Sequence, residues 1–278
     1  DIKIVNGKLI DVENKKIIEG DIGIKDGKIT DIGSVPVEAK TVIDAAGKHV
    51  SPGFIDIHMH EEDFTLTKKE EYDISDTMLN MGVTTCAVGN CGNNRQGIVE
   101  LYDFIKEKGN PVNYLTYIGH NFLRVEVGST DIYKKSSKEQ IEKMQKLVSE
   151  AIDFGAVGVS YGLEYCPGID TEEAIAITKE IHGRDDLLLA AHYRKDAIHA
   201  LDSIDEMAYI GRETKIPFQI SHLSSCSAFG NMTEALELIQ KLADSGTDLM
   251  VDAYPYDAFS TFIGSAVFDD GCLETWNK

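Results

Sequence analysis

The sequence predicts an α/β fold built on a (β/α)8 TIM-like barrel with a small β unit ahead of it, and three observations carry that expectation. From Val50 onward, apolar β-forming runs alternate with helical patterns seven times at even spacing, which favours a barrel over a doubly wound sheet. The first run follows the punctuation of Pro52-Gly53 and reads Phe54-Ile55-Asp56-Ile57-His58, as expected of a strand buried on both faces of a parallel sheet. Residues 1–49 have a different texture, with short strands joined by tight turns.

In that leading segment, Ile2-Lys3-Ile4-Val5 runs into Asn6-Gly7, and Asp21-Ile22-Gly23-Ile24 runs into Lys25-Asp26-Gly27. Asn-Gly and Asp-Gly between β-forming runs are strong hairpin signals, so residues 1–49 are expected to form a small β domain, half of a β-sandwich. The first residue is Asp1 and not methionine, so it is not expected to be the translated start.

The barrel is expected over residues 50–278, with strands at 54–58, 84–88, 114–118, 157–161, 187–192, 218–222 and 249–254. Ser137 and Gln140 make a capping box, followed by Ile141, Met144, Leu147, Val148 and Ala151 on one helical face and by Gly155 past the end. Asp170 with Glu173, and Asn231 with Glu234, repeat the capping pattern. The last helix carries Ala235, Leu238, Ile239 and Leu242 as its apolar stripe and stops near Gly246. Lys278 falls where an eighth strand should begin, so the barrel is expected to be incomplete there and the chain to be part of a longer one.

A chain of 278 residues suffices for one large α/β domain and a small one. Its 27 basic and 47 acidic residues leave a charge of −20, which repels phosphate backbones and anionic membranes. Nucleic acid and membrane are therefore not expected partners. No apolar run approaches the ~20 residues that span a bilayer, and no basic-then-apolar leader is present, which suits a cytoplasmic protein. The five cysteines have no disulfide-framework spacing and are expected to be reduced thiols. A homo-oligomer is left open.

His58 and His60 stand at i and i+2, where a strand's period points both side chains the same way. Reactive groups of a barrel come from the C-terminal ends of its strands. Those ends carry His58 and His60 on the first strand, Cys91 after the second, His120 after the third, His192 on the fifth and His222 on the sixth. Packing explains one such histidine but not several together, because each buried imidazole needs a partner. A metal centre is the expected purpose. Cys91 lies in Gly89-Asn90-Cys91-Gly92, where the glycines let the backbone bend and turn the thiolate to the barrel mouth. His120 reads equally as pocket lining or as structure. Arg194, two residues past His192, is placed to pair with a carboxylate. Cys86 reads as core filler, His49, His182 and His199 as solvent-facing, and Cys166, Cys226 and Cys272 show no ligand geometry.

These residues resemble the amidohydrolase superfamily, and more closely its N-acyl-D-amino-acid deacylase (D-aminoacylase) branch. The marks are Pro52-Gly53-Phe54-Ile55-Asp56-Ile57-His58-Met59-His60, Gly82-Val83-Thr84-Thr85, Gly89-Asn90-Cys91-Gly92, Gly119-His120-Asn121, Ser221-His222 and Asp252-Ala253-Tyr254-Pro255-Tyr256. The resemblance implies a zinc hydrolase that cleaves the linear amide of an N-acylated D-amino acid by attack of metal-activated water. It implies that Cys91, His192 and His222 hold the principal zinc, and that His58 and His60 form a second, weaker site bridged by Cys91. Tyr254 and Ser260 match positions that bind substrate in the branch. Ser224 stands where the branch commonly has a lysine on the substrate's α-carboxylate. The resemblance implies a general-base aspartate at the end of the eighth strand, which places it beyond Lys278. Two rivals are a cyclic-amide hydrolase of the hydantoinase or dihydroorotase kind and a catalytically dead barrel used for assembly. The first is disfavoured because strand four, Gly158-Val159-Ser160-Tyr161-Gly162, lacks its bridging lysine.

Overall fold

The computed structural model describes residues 1–36, 38–64, 73–224 and 228–278. Contacts divide the chain into two compact units, Asp1–Phe54 and Ile55–Lys278.

The first unit is a sheet of β1 (Ile2–Asp11), β2 (Lys16–Lys25), β3 (Lys28–Gly33), β4 (Thr41–Asp44) and β5 (His49–Val50). β3, β2, β1 and β4 lie in that order, with β5 also on β1. Asp26-Gly27 makes the expected hairpin, with φ of 50° and 70° at its two residues, as tight hairpin turns require. Asn6-Gly7 does not turn the chain. β1 runs straight through it, and the register against β2 shifts between Ile4 and Gly7 with Asn6 at φ 57°. β1 is paired with β2 on one edge and with β4 and β5 on the other, so the extra residue is absorbed as a bulge.

The second unit is an α/β fold of parallel strands. One sheet contains β6 (Phe54–Asp56), β7 (Val83–Val88) and β8 (Asn113–Thr116), and the other runs β13 (Leu249–Val251), β12 (Phe218–Ile220), β11 (Leu188–His192), β10 (Gly158–Gly162) and β9 (Ile118–Gly119). β8 and β9 belong to one stretch of chain. Tyr117 donates its N–H to Val88 O on the β7 side, while Thr116 O accepts from Val157 N–H on the other. One segment therefore links the two sheets.

The central strands β10, β11 and β12 are buried almost throughout, as continuous apolar runs require. The first strand departs from expectation: Phe54, Ile55 and Ile57 are exposed, as are Met250 and Val251 on β13. These are the two ends of the strand order, where one flank lacks a hydrogen-bonded neighbour among the described residues. Ala87, Tyr117 and Ala190 share a small buried cluster although β7 and β11 are not paired.

The helices among the described residues are α1 (Asp73–Asn80), α2 (Ile98–Lys108), α3 (His120–Glu126), α4 (Lys138–Phe154), α5 (Thr171–Ala176), α6 (Ala200–Thr214) and α7 (Met232–Asp244), with a short α8 (Cys272–Thr275). Ser137 and Gln140 make the capping box of α4, Gly155 closes it in the left-handed region, and Met144 and Val148 are its buried residues. Asp170 accepts from Glu173 N–H at the start of α5. Asn231 precedes α7 but makes no side-chain cap, because its amide donates to Ala197 O at 2.6 Å. Ala235 of α7 is buried, with Leu238, Ile239 and Leu242 packed on the same core. Among the described residues, no helix is long and apolar enough to cross a membrane.

Candidate metal centre

Strand ends gather the chemistry of the second unit. His58 and His60 follow β6, Cys91 follows β7, His192 ends β11, and His222 follows β12. The ligand atoms of His58, His60 and Cys91 lie within 4.8 Å of one another, as do those of Cys91, His192 and His222. Cys91 Sγ is 3.3 Å from both His58 Nε2 and His222 Nε2. The rings of His58 and His222 are 4.3 Å apart and those of His192 and His222 4.9 Å.

The loop that brings Cys91 inward is tightly clamped. Glu61, buried, accepts from the N–H of Gly89 at 3.0 Å and of Arg95 at 2.7 Å. Ser160 of β10 accepts from Gly92 N–H at 3.0 Å and donates to Gly89 O. Cys91 itself sits at φ 54°, and His222 at φ 60°, conformations that side-chain-bearing residues rarely hold and that concentrate at functional sites. Gly162 makes the close approach possible, since a Cβ there would lie 2.3 Å from Cys91 O.

Charge balance inside the cluster is set by proximity. Burial alone would raise the Cys91 thiol, but the charge of His58 and the nearness of the His192, His222 and His58 rings hold it well below its usual value. Burial opposes the charge on His58, yet Cys91 and the hydrogen bond to Asp252 push it up to about 10. His192 rises likewise against its burial, through Cys91 and Glu164. His222 is lowered, chiefly by burial. The thiolate is the form of cysteine that binds a metal, and His58 and His192 would have to give up a proton to an ion that bound them.

Carboxylates hold the outer sides of two of these rings. Asp252 Oδ2 is 2.9 Å from His58 Nδ1, and Glu164 Oε2 is 2.9 Å from His192 Nε2. The remaining nitrogen of His192, Nδ1, is buried with no hydrogen-bond partner. Asp252 stood in the sequence only as part of a motif, and Glu164 carried no signal at all. A carboxylate just past a strand end, 28 or more residues from its histidine, is invisible until the strands are assembled.

His120 lies elsewhere. It is fully buried, with Nε2 3.1 Å from Glu173 Oε1, and burial lowers its pKa. Glu173 also accepts from Arg124 Nη1 at 2.6 Å and from Ser136 N–H at 3.0 Å. Arg194 is taken up by Glu206, at 2.8 Å through both Nε and Nη2, and by Ile169 O. The Tyr254 ring is 6.2 Å from that of His222, and its backbone is stapled by Ser224, whose hydroxyl donates to Tyr254 O and accepts from Tyr254 N–H. Ser260 is exposed. Cys86 is buried in the core around β7, and Cys166 is buried as well. His49 and His182 are exposed, and His199 is partly so. Cys226 lies outside the described residues.

Strand-end imidazoles, a cysteine and outer carboxylates on a parallel α/β scaffold make a candidate metal centre, and this chain belongs to the amidohydrolase family, whose model matches residues 41–253. More particularly, it is similar to D-aminoacylase of Alcaligenes xylosoxydans xylosoxydans, 31% identical over 95% of this chain and 59% of that relative. A solved structure of D-aminoacylase, described by its binuclear metal center, superposes with a TM-score of 0.82 at 29% identity, covering 92% of this chain and 58% of that one. N-acyl-D-glutamate deacylase from Bordetella bronchiseptica, solved with zinc and a phosphonate inhibitor, gives a TM-score of 0.81 at 26% identity over 92% and 58% of the two chains. The resemblance to D-aminoacylases read from the motifs thus extends over nearly the whole chain. The chain spans about 59% of the length of the curated relative.

Proposed function

We propose that this chain carries the metal-binding part of a zinc-dependent hydrolase that cleaves the linear amide of N-acyl-D-amino acids. The observation that carries the proposal is the convergence of Cys91, His192 and His222 donors, with a buried His192 Nδ1 that has no other partner. Cys/His/His with one position left open is a catalytic zinc donor set. His58 and His60 would hold a second ion next to Cys91. When bound, zinc supplies Lewis acidity toward an acyl carbonyl and acidifies water at neutral pH.

The chain's own groups do the rest. Glu164 and Asp252 orient His192 and His58 by their outer nitrogens. Tyr254, whose backbone is fixed by Ser224, meets the His222 ring edge-on and is the proposed substrate contact. A cleft of about 650 Å³ is lined by Ser224, Pro255 and Tyr256, and one of about 300 Å³ by Glu164 and Arg194, chain neighbours or partners of the ligand residues or of Tyr254. No general base is assigned among the described residues.

The scaffold proposed for this site is a (β/α)8 barrel preceded by half of a β-sandwich. The cluster of Ala87, Tyr117 and Ala190 and the contact of His58 with Asp252, from opposite ends of the strand order, both support a sheet that curls on itself. The exposed apolar flanks of β6 and β13 fit a further strand between them.

The test is amine release from N-acetyl-D- and N-acetyl-L-amino acids by the purified protein, before and after chelation. The expected result is hydrolysis of the D-series only, abolished by chelation and restored by zinc. Equal use of the L-series, or full activity without metal, would contradict the proposal.

A further inference from the structure

Three hydrogen-bond partners meet the Asp252 side chain, and two of them, His58 and His222, belong to the cluster. Oδ2 lies 2.9 Å from His58 Nδ1 and accepts from Gln219 Nε2 at 2.6 Å, while Oδ1 accepts from His222 N–H at 2.8 Å. The side chain is 8% exposed. Its backbone is equally committed, since Asp252 N–H donates to Ile220 O and Asp252 O accepts from Leu223 N–H, both at 3.0 Å.

We infer that Asp252 is the positioning residue that ties the two halves of the proposed metal centre together, by fixing the His58 ring and the His222 backbone at once. The inference rests on the metal reading above. An ionised carboxylate only accepts, so each of its partners must donate. In the metal-loaded protein His58 is then held with its proton on Nδ1, which leaves Nε2, 3.3 Å from Cys91 Sγ, as the nitrogen free to take an ion. His222 holds φ 60°, and its N–H is satisfied by the same carboxylate. One side chain therefore sets the tautomer of a ligand that follows β6 and the backbone of a ligand that follows β12.

Asp252→Asn keeps the size but not the role. An amide presents one acceptor and one NH2 to three donors, so a donor faces a donor in either orientation. If the NH2 meets His58, the ring must carry its proton on Nε2, the nitrogen that should bind metal.

The experiment is cobalt(II) titration of the metal-free protein and of Asp252→Asn, read by the thiolate-to-cobalt absorption band, with nitrogen-15 NMR of His58 in the metal-loaded proteins. The expected result is a thiolate band in both, affinity about 10–100-fold weaker in the variant, and the second cobalt equivalent lost first. In the unsubstituted protein His58 is expected to carry its proton on Nδ1. Equal affinities in the two proteins, or a proton on His58 Nε2 in the unsubstituted one, would overturn the inference while leaving the metal reading intact. Absence of the thiolate band from the unsubstituted protein would overturn both. The NMR measurement decides the matter even if Asp252→Asn does not fold.

Discussion

His192 and His120 make an instructive pair. Both are buried, both place Nε2 on a glutamate, at 2.9 Å from Glu164 and 3.1 Å from Glu173, and both leave Nδ1 without a hydrogen-bond partner. Their surroundings then diverge. Around His192 stand Cys91 and His222, donors in reach of one ion, and its pKa is raised well above the ordinary value. Around His120 stands the edge of Tyr161, with ring centroids 5.6 Å apart, and its pKa is lowered by burial. Glu173 is meanwhile saturated by Arg124 and Ser136. An unpaired buried ring nitrogen is therefore not a metal signal by itself. Second and third donors in reach make it one.

Neutralising each glutamate in turn should separate the two histidines. Glu173→Gln leaves the buried Arg124 guanidinium without its counter-charge and should cost about 3–5 kcal/mol of stability in urea unfolding, with zinc affinity of the folded protein unchanged. Glu164→Gln should do the reverse, weakening zinc about 10–100-fold in a competition assay at small cost to stability. Equal effects on zinc from the two changes would erase the distinction.

Acid should reveal the same asymmetry. Burial opposes ionisation of Glu173, but hydrogen bonds from His120 and Ser136 and the charge of Arg124 bring it down to about 2. A depressed carboxyl stabilises the fold fully above its unfolded pKa of about 4.3, and that contribution drains away as pH falls toward 2. Stability measured between pH 5 and 2 should fall less steeply in Glu173→Gln than in the parent; parallel curves would remove Glu173 from the account.

Smaller effects separate the site from its scaffold. Gly162→Ala sets a methyl 2.3 Å from Cys91 O and should cost about 1–3 kcal/mol while loosening metal binding, because the cysteine loop has to move. Ser137→Ala removes the capping-box hydroxyl of α4 and should cost about 1 kcal/mol with metal binding untouched. A larger loss of metal from the helix cap than from Gly162→Ala would show that the loop is not what holds Cys91.

Much of this was legible in the chain. β11 and β12 announced themselves as apolar runs leading to His192 and His222, and the α4 and α5 caps were written in Ser137, Gln140 and Asp170. Where the reading failed, tertiary context had outbid a local signal. Asn6-Gly7 became a bulge because β1 has neighbours on both edges, and Asn231 gave its amide to Ala197 instead of capping α7. His58, His60, Cys91, His192 and His222 were visible because strand ends and residue type identify them. Asp252 and Glu164 were not visible as their partners, because acidic residues are common in this chain and only assembly reveals which ones meet an imidazole. Glu61 likewise read as one of a polar run after His60, yet it pins the Cys91 loop.

The central claim is that Cys91, His192 and His222 hold zinc, and metal content per chain tests it most directly. The purified protein should retain about one tightly bound zinc after dialysis, and Cys91→Ala should lose it while His120→Ala keeps it. A protein that retains no metal, or retains it equally without Cys91, would contradict the account.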